Sequence, residues 1–235
     1  MIHIPHLAIY PVTGIPEIEP GDDVAGAIVE SAARSGIGIL DKDIVVVTHK
    51  VVSKAEGQIR AIPDEETYRN LVESEAVRIV RRRGDLVITQ TKHGFICANA
   101  AVDRSNVAGG YAILLPVDPD RSANRLRTLI ERATNTSIGV IITDTFGRPW
   151  RRGLTDVAIG ISGLPAVVDL RGTTDSHGNV LEVTEVAAVD EIASAADLVM
   201  GKATGIPAAI VRGLDLVGDG RVSDLIRPPN EDLFR

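Results

Sequence analysis

An acid and a hydroxyl stand side by side at Asp144-Thr145, directly after an apolar, mostly β-branched run at 138–142. Phe146 and Gly147 follow, and three arginines, Arg148, Arg151 and Arg152, gather around Trp150. The apolar run reads as a buried strand. A carboxylate and a hydroxyl at the carboxyl end of a strand, beside a turn, suit a hard cation held by oxygen ligands. An anchored acid facing several guanidinium groups suggests a metal-phosphate site. The same aspartate would serve equally as a cap for the turn that follows.

Three other stretches carry candidate chemistry. Asn99, Asp103 and Asn106 are packed into a short segment with small residues between them. Asp103 offers a second metal carboxylate, and Asn106 a donor and an acceptor for a base, ribose or phosphate. The order Asp-Arg-Ser-Asn is also that of a plain Asx turn. After the apolar strand at 43–48 come His49, Lys50, Ser53 and Lys54, which we read as a strand leading into a phosphate-contacting turn. A Walker loop is excluded, because no GxxxxGK[ST] pattern occurs, and two solvated lysines after a strand would look the same. The glycine-bounded loop 201–205 lets backbone amides approach an anion closely, although a simple helix-to-strand connection would have this composition too.

The elements that must position these residues follow from periodicity and punctuation. Strands are expected at 7–12, 43–48, 86–91, 111–115, 138–142, 157–162, 167–168 and 208–212. Helices are expected from Asp22 or Asp23 to Arg34, over 64–83, from Asp118-Pro119 to Arg132, and over 182–200. The polar stretch 171–179, rich in turn formers, reads as a mobile, lid-like loop. Strands and helices mix without regular βαβ alternation, which points to an α+β fold with mixed β-sheets and flanking helices.

Composition bounds the function. At 235 residues, with 44% hydrophobic and 24% charged, the chain can bury one large core or two modest ones sharing a cleft. A net charge of −7 argues against a general nucleic-acid binder, but not against a local basic pocket. No apolar run approaches the ~20 residues that cross a bilayer, and the start lacks a signal-peptide pattern. With Cys97 the one cysteine, no intrachain disulfide can form, and a cytoplasmic location is expected. The scattered histidines make zinc an unsuitable guess, and carboxylate chemistry points to magnesium or manganese.

These stretches line up together with one family. "YPVTGIPEIEPGDD", "VVVTHKVVSKAEG", "NAAVDRSNV", "LLPVDPDRSANRLR", "VIITDTFGRPWRRG", "AIGISG", "VTEVAAVDEIASAADLVMGKATGIPAAIVRG" and "NEDLF" resemble the coenzyme F-420 γ-glutamyl ligases, in the family's order from Ile9 to Phe234. The resemblance implies a GTP-dependent ligase that adds L-glutamate by γ-linkage to the deazaflavin precursor F-420-0, through an acyl phosphate. It implies Mg2+ or Mn2+, a role for K+, and a homodimer of intertwined two-part chains.

Carried over by position, Asp103 and Asp144 match the metal-binding acids and Thr145 the metal-proximal hydroxyl. Nucleotide contacts match Ile15, Pro16, Glu17 and Ile18, then His49, Lys50, Lys54 and Asn106. A last nucleotide segment matches Met200, Gly201, Lys202, Ala203, Thr204, Gly205 and Ile206. Arg148, Arg151 and Arg152 are the candidates to face developing phosphate charge or to hold substrate anions. Some archaeal members carry an acid, a second-metal ligand, where this chain has Lys202. The longer two-domain relatives continue into a flavin-binding reductase domain, whereas this chain reads as a single ligase domain over 1–235. A metal-dependent nucleotide phosphatase and a non-catalytic GTP-binding module are the alternatives from other classes.

Overall fold

The structure is a computed structural model that describes residues 6–105 and 107–233. The candidate Asn106 and the carboxy-terminal Phe234 therefore lie outside the described residues. The chain opens with strand β1 (Ala8–Pro11), helix α1 (Val24–Arg34), strand β2 (Ile44–Thr48) and the short helix α2 (His49–Ala55). Strand β3 (Ile59–Ala61), helix α3 (Glu65–Glu75) and strands β4 (Ala76–Arg83), β5 (Leu86–Thr91), β6 (Ile96–Ala98) and β7 (Tyr111–Ile113) follow. Helix α4 (Pro119–Thr134) leads to β8 (Gly139–Arg148) and β9 (Arg151–Ser162). Short strands β10 (Val168–Asp169) and β11 (Glu185–Val186), helix α5 (Ala188–Met200) and β12 (Ala208–Arg212) complete the set. The mixed α+β composition agrees with the sequence reading.

The main sheet has the order β1-β12-β2-β8-β9, antiparallel throughout except for the central β2–β8 pair. Successive residues of β2 and β8 point to opposite faces, and both faces are covered. Val45, Val47, Val140 and Ile142 pack with Ile28 of α1 and with Leu126 and Ile130 of α4. Ile44, Val46 and Ile141 pack on the other side with Val189, Ile192 and Ala196 of α5. Burial on both faces explains why these strands read as unbroken apolar runs. A smaller core joins Ile62, Val72, Ala100, Ala112 and Leu114 under the β3–β7 pair.

One buried ion pair locks this sheet. Asp43, fully buried, accepts two hydrogen bonds from Arg212, at 2.8 Å from Nε and 2.7 Å from Nη2. The pair ties the start of β2 to the end of the neighbouring β12, and the Leu40 amide donates to the same carboxylate at 2.8 Å.

Four sequence expectations are corrected. The helix expected over 64–83 stops at Glu75, and 76–83 is strand β4, paired with β5. Its Val77, Ile79 and Val80 are β-branched and exposed, so they have no helical face to bury. The turn expected at 49–54 is helix α2. The helix expected from 182 begins at Ala188, after β11. The strand carrying Asp144 does not end there but runs on to Arg148, turns at Pro149-Trp150 and returns as β9.

Candidate functional site

The parallel pairing of β2 with β8 fixes where the chemistry-bearing residues meet. Thr48, the last residue of β2, lies opposite Thr143 of β8, so the strands deliver His49 and Asp144 to the same rim. A β-bulge between Ile142 and Thr143 shifts the register with β9 at this point. The buried imidazole of His49 then faces Asp144, with Nε2 3.4 Å from Oδ1, while Nδ1 lies 3.3 Å from Ser53 Oγ. His49 thus backs the acid rather than facing open space. Lys50, one residue on, donates to Asp103 Oδ2 at 2.8 Å and to Ser105 Oγ at 2.8 Å. The first turn of α2 therefore reaches both candidate metal acids, Asp144 through His49 and Asp103 through Lys50.

Asp103 is held from its own side by a strained turn. Asn99, Ala100 and Ala101 take φ of 49°, 52° and 56°, three consecutive non-glycine residues in the left-handed region. Each such residue costs about 1–2 kcal/mol and persists only where its surroundings impose it. Here Thr89 Oγ accepts the Ala100 amide at 2.9 Å, and Asn99 Oδ1 accepts the Val87 amide at 3.1 Å. The backbone of Asp103 then exchanges two hydrogen bonds with Ile113. Burial pushes the Asp103 carboxyl up, but hydrogen bonds from Lys50 and Ser105 outweigh it and leave the group below the usual range.

A cavity of about 410 Å³ opens beside these residues. Ile15, Pro16, Glu17 and Ile18 form one wall, and Lys50 and Lys54 of α2 another. Met200, Gly201, Lys202, Ala203, Gly205 and Ile206 form a third. The three segments assigned to a nucleotide by resemblance are thus neighbours in space, and Thr145 lies at the cavity's edge. Gly201, at φ 61°, is where α5 turns into the loop, and a side chain there would meet Thr204 Cγ2 at 2.8 Å. Thr204 itself folds back, its hydroxyl donating to the Met200 carbonyl.

Each cavity lysine has a carboxylate partner. Lys50 has Asp103, and the nearly buried Lys54 has the exposed Glu17. Lys202 lies 2.5 Å from Asp156 Oδ1 and 2.6 Å from Asp197 Oδ1. Thr145 donates its hydroxyl to Asp156 Oδ1 at 2.6 Å and accepts from Lys202 at 2.7 Å. Burial alone would lower the Lys202 ammonium's pKa, but hydrogen bonds to Asp156 and Asp197 outweigh it and raise it.

Asp156 and Asp197 were not singled out in the sequence. Asp156 sits directly across from Thr145 in the β8–β9 ladder, 4% exposed, with Thr143 Oγ donating to its second oxygen at 3.2 Å. The arginines are placed otherwise than expected. Arg148, Arg151 and Arg152 are exposed at the hairpin tip and do not line the cavity, and Arg148 Nη2 donates to the Arg152 carbonyl at 2.9 Å.

Comparison with known proteins covers most of the chain. The sequence profile described as F420-0:Gamma-glutamyl ligase matches residues 13–213. The chain belongs to the F420-0:gamma-glutamyl ligase family. It is 41% identical to a coenzyme F420:L-glutamate ligase of Methanothermobacter thermautotrophicus, over 97% of this chain and 99% of the relative. The corresponding ligase of Methanopyrus kandleri is 42% identical over 99% of both chains. That of Methanocaldococcus jannaschii is 43% identical over 84% of this chain and 86% of its own. The match from 13 to 213 takes in all three walls of the cavity, from Ile15 to Ile206, and the β12 strand.

The residues present bear unequally on the divalent metal the family reading calls for. Asp103 and Asp144 offer hard carboxylate oxygens, the donor type that magnesium and manganese take, with Asp103 open to an ion once Lys50 and Ser105 release it. Thr145 does not fit as an open ligand, because its hydroxyl is already engaged by Asp156 and by an ammonium. No described helix is long and apolar enough to cross a membrane.

Proposed function

We propose that this protein is a GTP-dependent ligase that joins L-glutamate in γ-linkage to the deazaflavin precursor F-420-0. The observation that carries the reading is the single cavity in which three sequence-distant segments bring Lys50, Lys54 and backbone-rich loop 201–206 together, beside Asp144 and Asp103. It supports an anionic, nucleotide-sized ligand in a chain that is similar from end to end to coenzyme F420:L-glutamate ligases.

A carboxylate oxygen is a poor leaving group, so an amine does not displace it unaided. In the proposed sequence a substrate carboxylate oxygen attacks the γ-phosphorus of GTP, and the bond to the β-phosphate oxygen breaks to release GDP. The glutamate amine then attacks the acyl carbon, phosphate leaves with the bonding pair, and the amine proton passes to solvent. The protein's share is orientation and charge neutralisation, the first of which can contribute about 7–11 kcal/mol. Lys54 and Lys50 would hold phosphate oxygens, and the amides of loop 201–206 would approach the remainder of the nucleotide. A magnesium or manganese ion on Asp103 and Asp144 would offset phosphate charge. The Thr145 amide, donating to Asp144 Oδ1 at 2.7 Å, sets the direction in which that carboxylate points, and the buried His49 ring lies 3.4 Å behind it. Arg148, Arg151 and Arg152, on the exposed hairpin, are suited to gripping an acidic substrate from outside the cavity. A homodimer accords with the exposed Val77, Val80, Leu86, Trp150 and Leu154 on two projecting hairpins.

The test is mass spectrometry of F-420-0 incubated with the protein, GTP, L-glutamate and Mn2+. Increments of one or more glutamyl residues are expected. GTP hydrolysis without any increment would replace the ligase by a phosphatase, and neither would leave a binding module.

A further inference from the structure

The Lys202 ammonium is held in a way that ordinary phosphate-binding lysines are not. A lysine carries three N–H donors and no acceptor. Here three oxygens take them, Asp156 Oδ1 at 2.5 Å, Asp197 Oδ1 at 2.6 Å and Thr145 Oγ1 at 2.7 Å. These ligands come from β9, α5 and β8, three elements held together by the β8–β9 ladder and a shared core. The Asp156 and Asp197 side chains are 5% and 21% exposed, so neither swings away as Glu17 can from Lys54. One buried and one partly exposed carboxylate with a hydroxyl, converging on the half-exposed ammonium at hydrogen-bond distance, form an oxygen cradle of the kind that hard cations occupy. Taken without the lysine, two carboxylates this close would repel each other and one would be driven to protonate.

We propose that Lys202 is a built-in cation, which fills an oxygen cradle formed by Asp156, Asp197 and Thr145 and thereby takes the place of a free metal or monovalent ion there. This holds whether or not the ligase reading does, because it rests on the cradle alone. It follows that Lys202 has no donor left for nucleotide phosphate, and that its work is to hold Thr145 and Asp156 at the cavity edge. Truncation to Lys202→Ala should uncover the cradle and leave it open to ions of the right size.

Mn2+ binding followed by electron paramagnetic resonance counts the ions directly, without reference to activity. The expected result is one more bound Mn2+ per chain in K202A than in the unaltered protein, and loss of that extra ion in the double variant K202A/D156N. Equal counts in the unaltered protein and K202A would overturn the proposal, as would an extra ion that survives D156N. A second measurement reads stability instead of ion count. The melting temperature of the unaltered protein should be the same in potassium chloride and in tetramethylammonium chloride at equal ionic strength, because the cradle is already filled. In K202A it should fall by roughly 5–10 °C in tetramethylammonium and recover in potassium. A potassium-dependent rise of the unaltered protein, abolished by D156N, would show a cradle open to solvent ions and sink the idea.

Discussion

Lys54 and Glu17 make opposite demands on the cavity, and substituting each in turn separates them. Lys54 is nearly buried on α2, whereas the side chain of Glu17 is 78% exposed and reaches back across the cavity to pair with it. An incoming phosphate must displace Glu17 before it can take the ammonium. A charge-assisted hydrogen bond contributes about 1.5–3 kcal/mol, and an ion pair with one member in solvent about 0.2–1 kcal/mol. The difference leaves roughly 0.5–2.8 kcal/mol of net gain from Lys54, so Lys54→Met should weaken GTP binding about 2–110-fold. Glu17→Gln removes only the competitor and should tighten binding about 1.4–5-fold. Isothermal titration calorimetry with GTP, at fixed salt and metal, measures both on one scale. A Lys54→Met affinity within about twofold of the unaltered protein, or a weaker Glu17→Gln, would refute the displacement argument.

Three further outcomes are expected. Asp144→Asn should abolish glutamyl transfer, read as missing mass increments, while circular dichroism shows the fold intact; full activity at ordinary metal concentration would remove Asp144 from the metal site. Asp43→Ala strands Arg212 beside the sheet and should lower stability by about 3 kcal/mol, the low end for a broken buried pair because Arg212 keeps some solvent, measured by urea unfolding. Asp103 has a folded-state pKa below its ordinary 3.8, so its contribution is present above that value and is lost as the pH falls through the folded one. In metal-free buffer Asp103→Asn should therefore melt lower than the unaltered protein at neutral pH, and the two should converge below about pH 4.

The strands buried on both faces were legible because their physics is local. Ile44 to Val47 and Val140 to Ile142 have no polar residue to hide, and α4 announced itself with the Asp118 cap and Pro119. The segment 76–83 misled for a physical reason. Leu71, Ala76, Ile79 and Val80 fit a helical spacing, yet what decides is the pairing of β4 with β5, a non-local partner that one stretch of sequence does not display. Asp156 was hidden likewise, since its meaning comes from lying opposite Thr145 in a hairpin whose return strand was read as starting at 157. The segments around the cavity could be grouped only through resemblance, because Ile15, Lys54 and Lys202 share no spacing that would bring them together. The left-handed turn at 99–101 had no signal at all, for two of its three residues are alanines.

The pairing of every cavity lysine also bears on how the protein would respond to its ionic surroundings. A basic pocket that waits with bare charges gathers mobile anions from solution, and a ligand entering it must drive them out, which makes affinity fall steeply as salt is added. In this cavity the anions at the two lysines offered to phosphate are supplied by the chain itself, from Glu17 and Asp103. A triphosphate would exchange with tethered carboxylates and set few dissolved ions loose. Binding of this kind is buffered against osmotic swings in the cell, at the expense of long-range attraction, and leaves selection among anions to shape and contact rather than to charge.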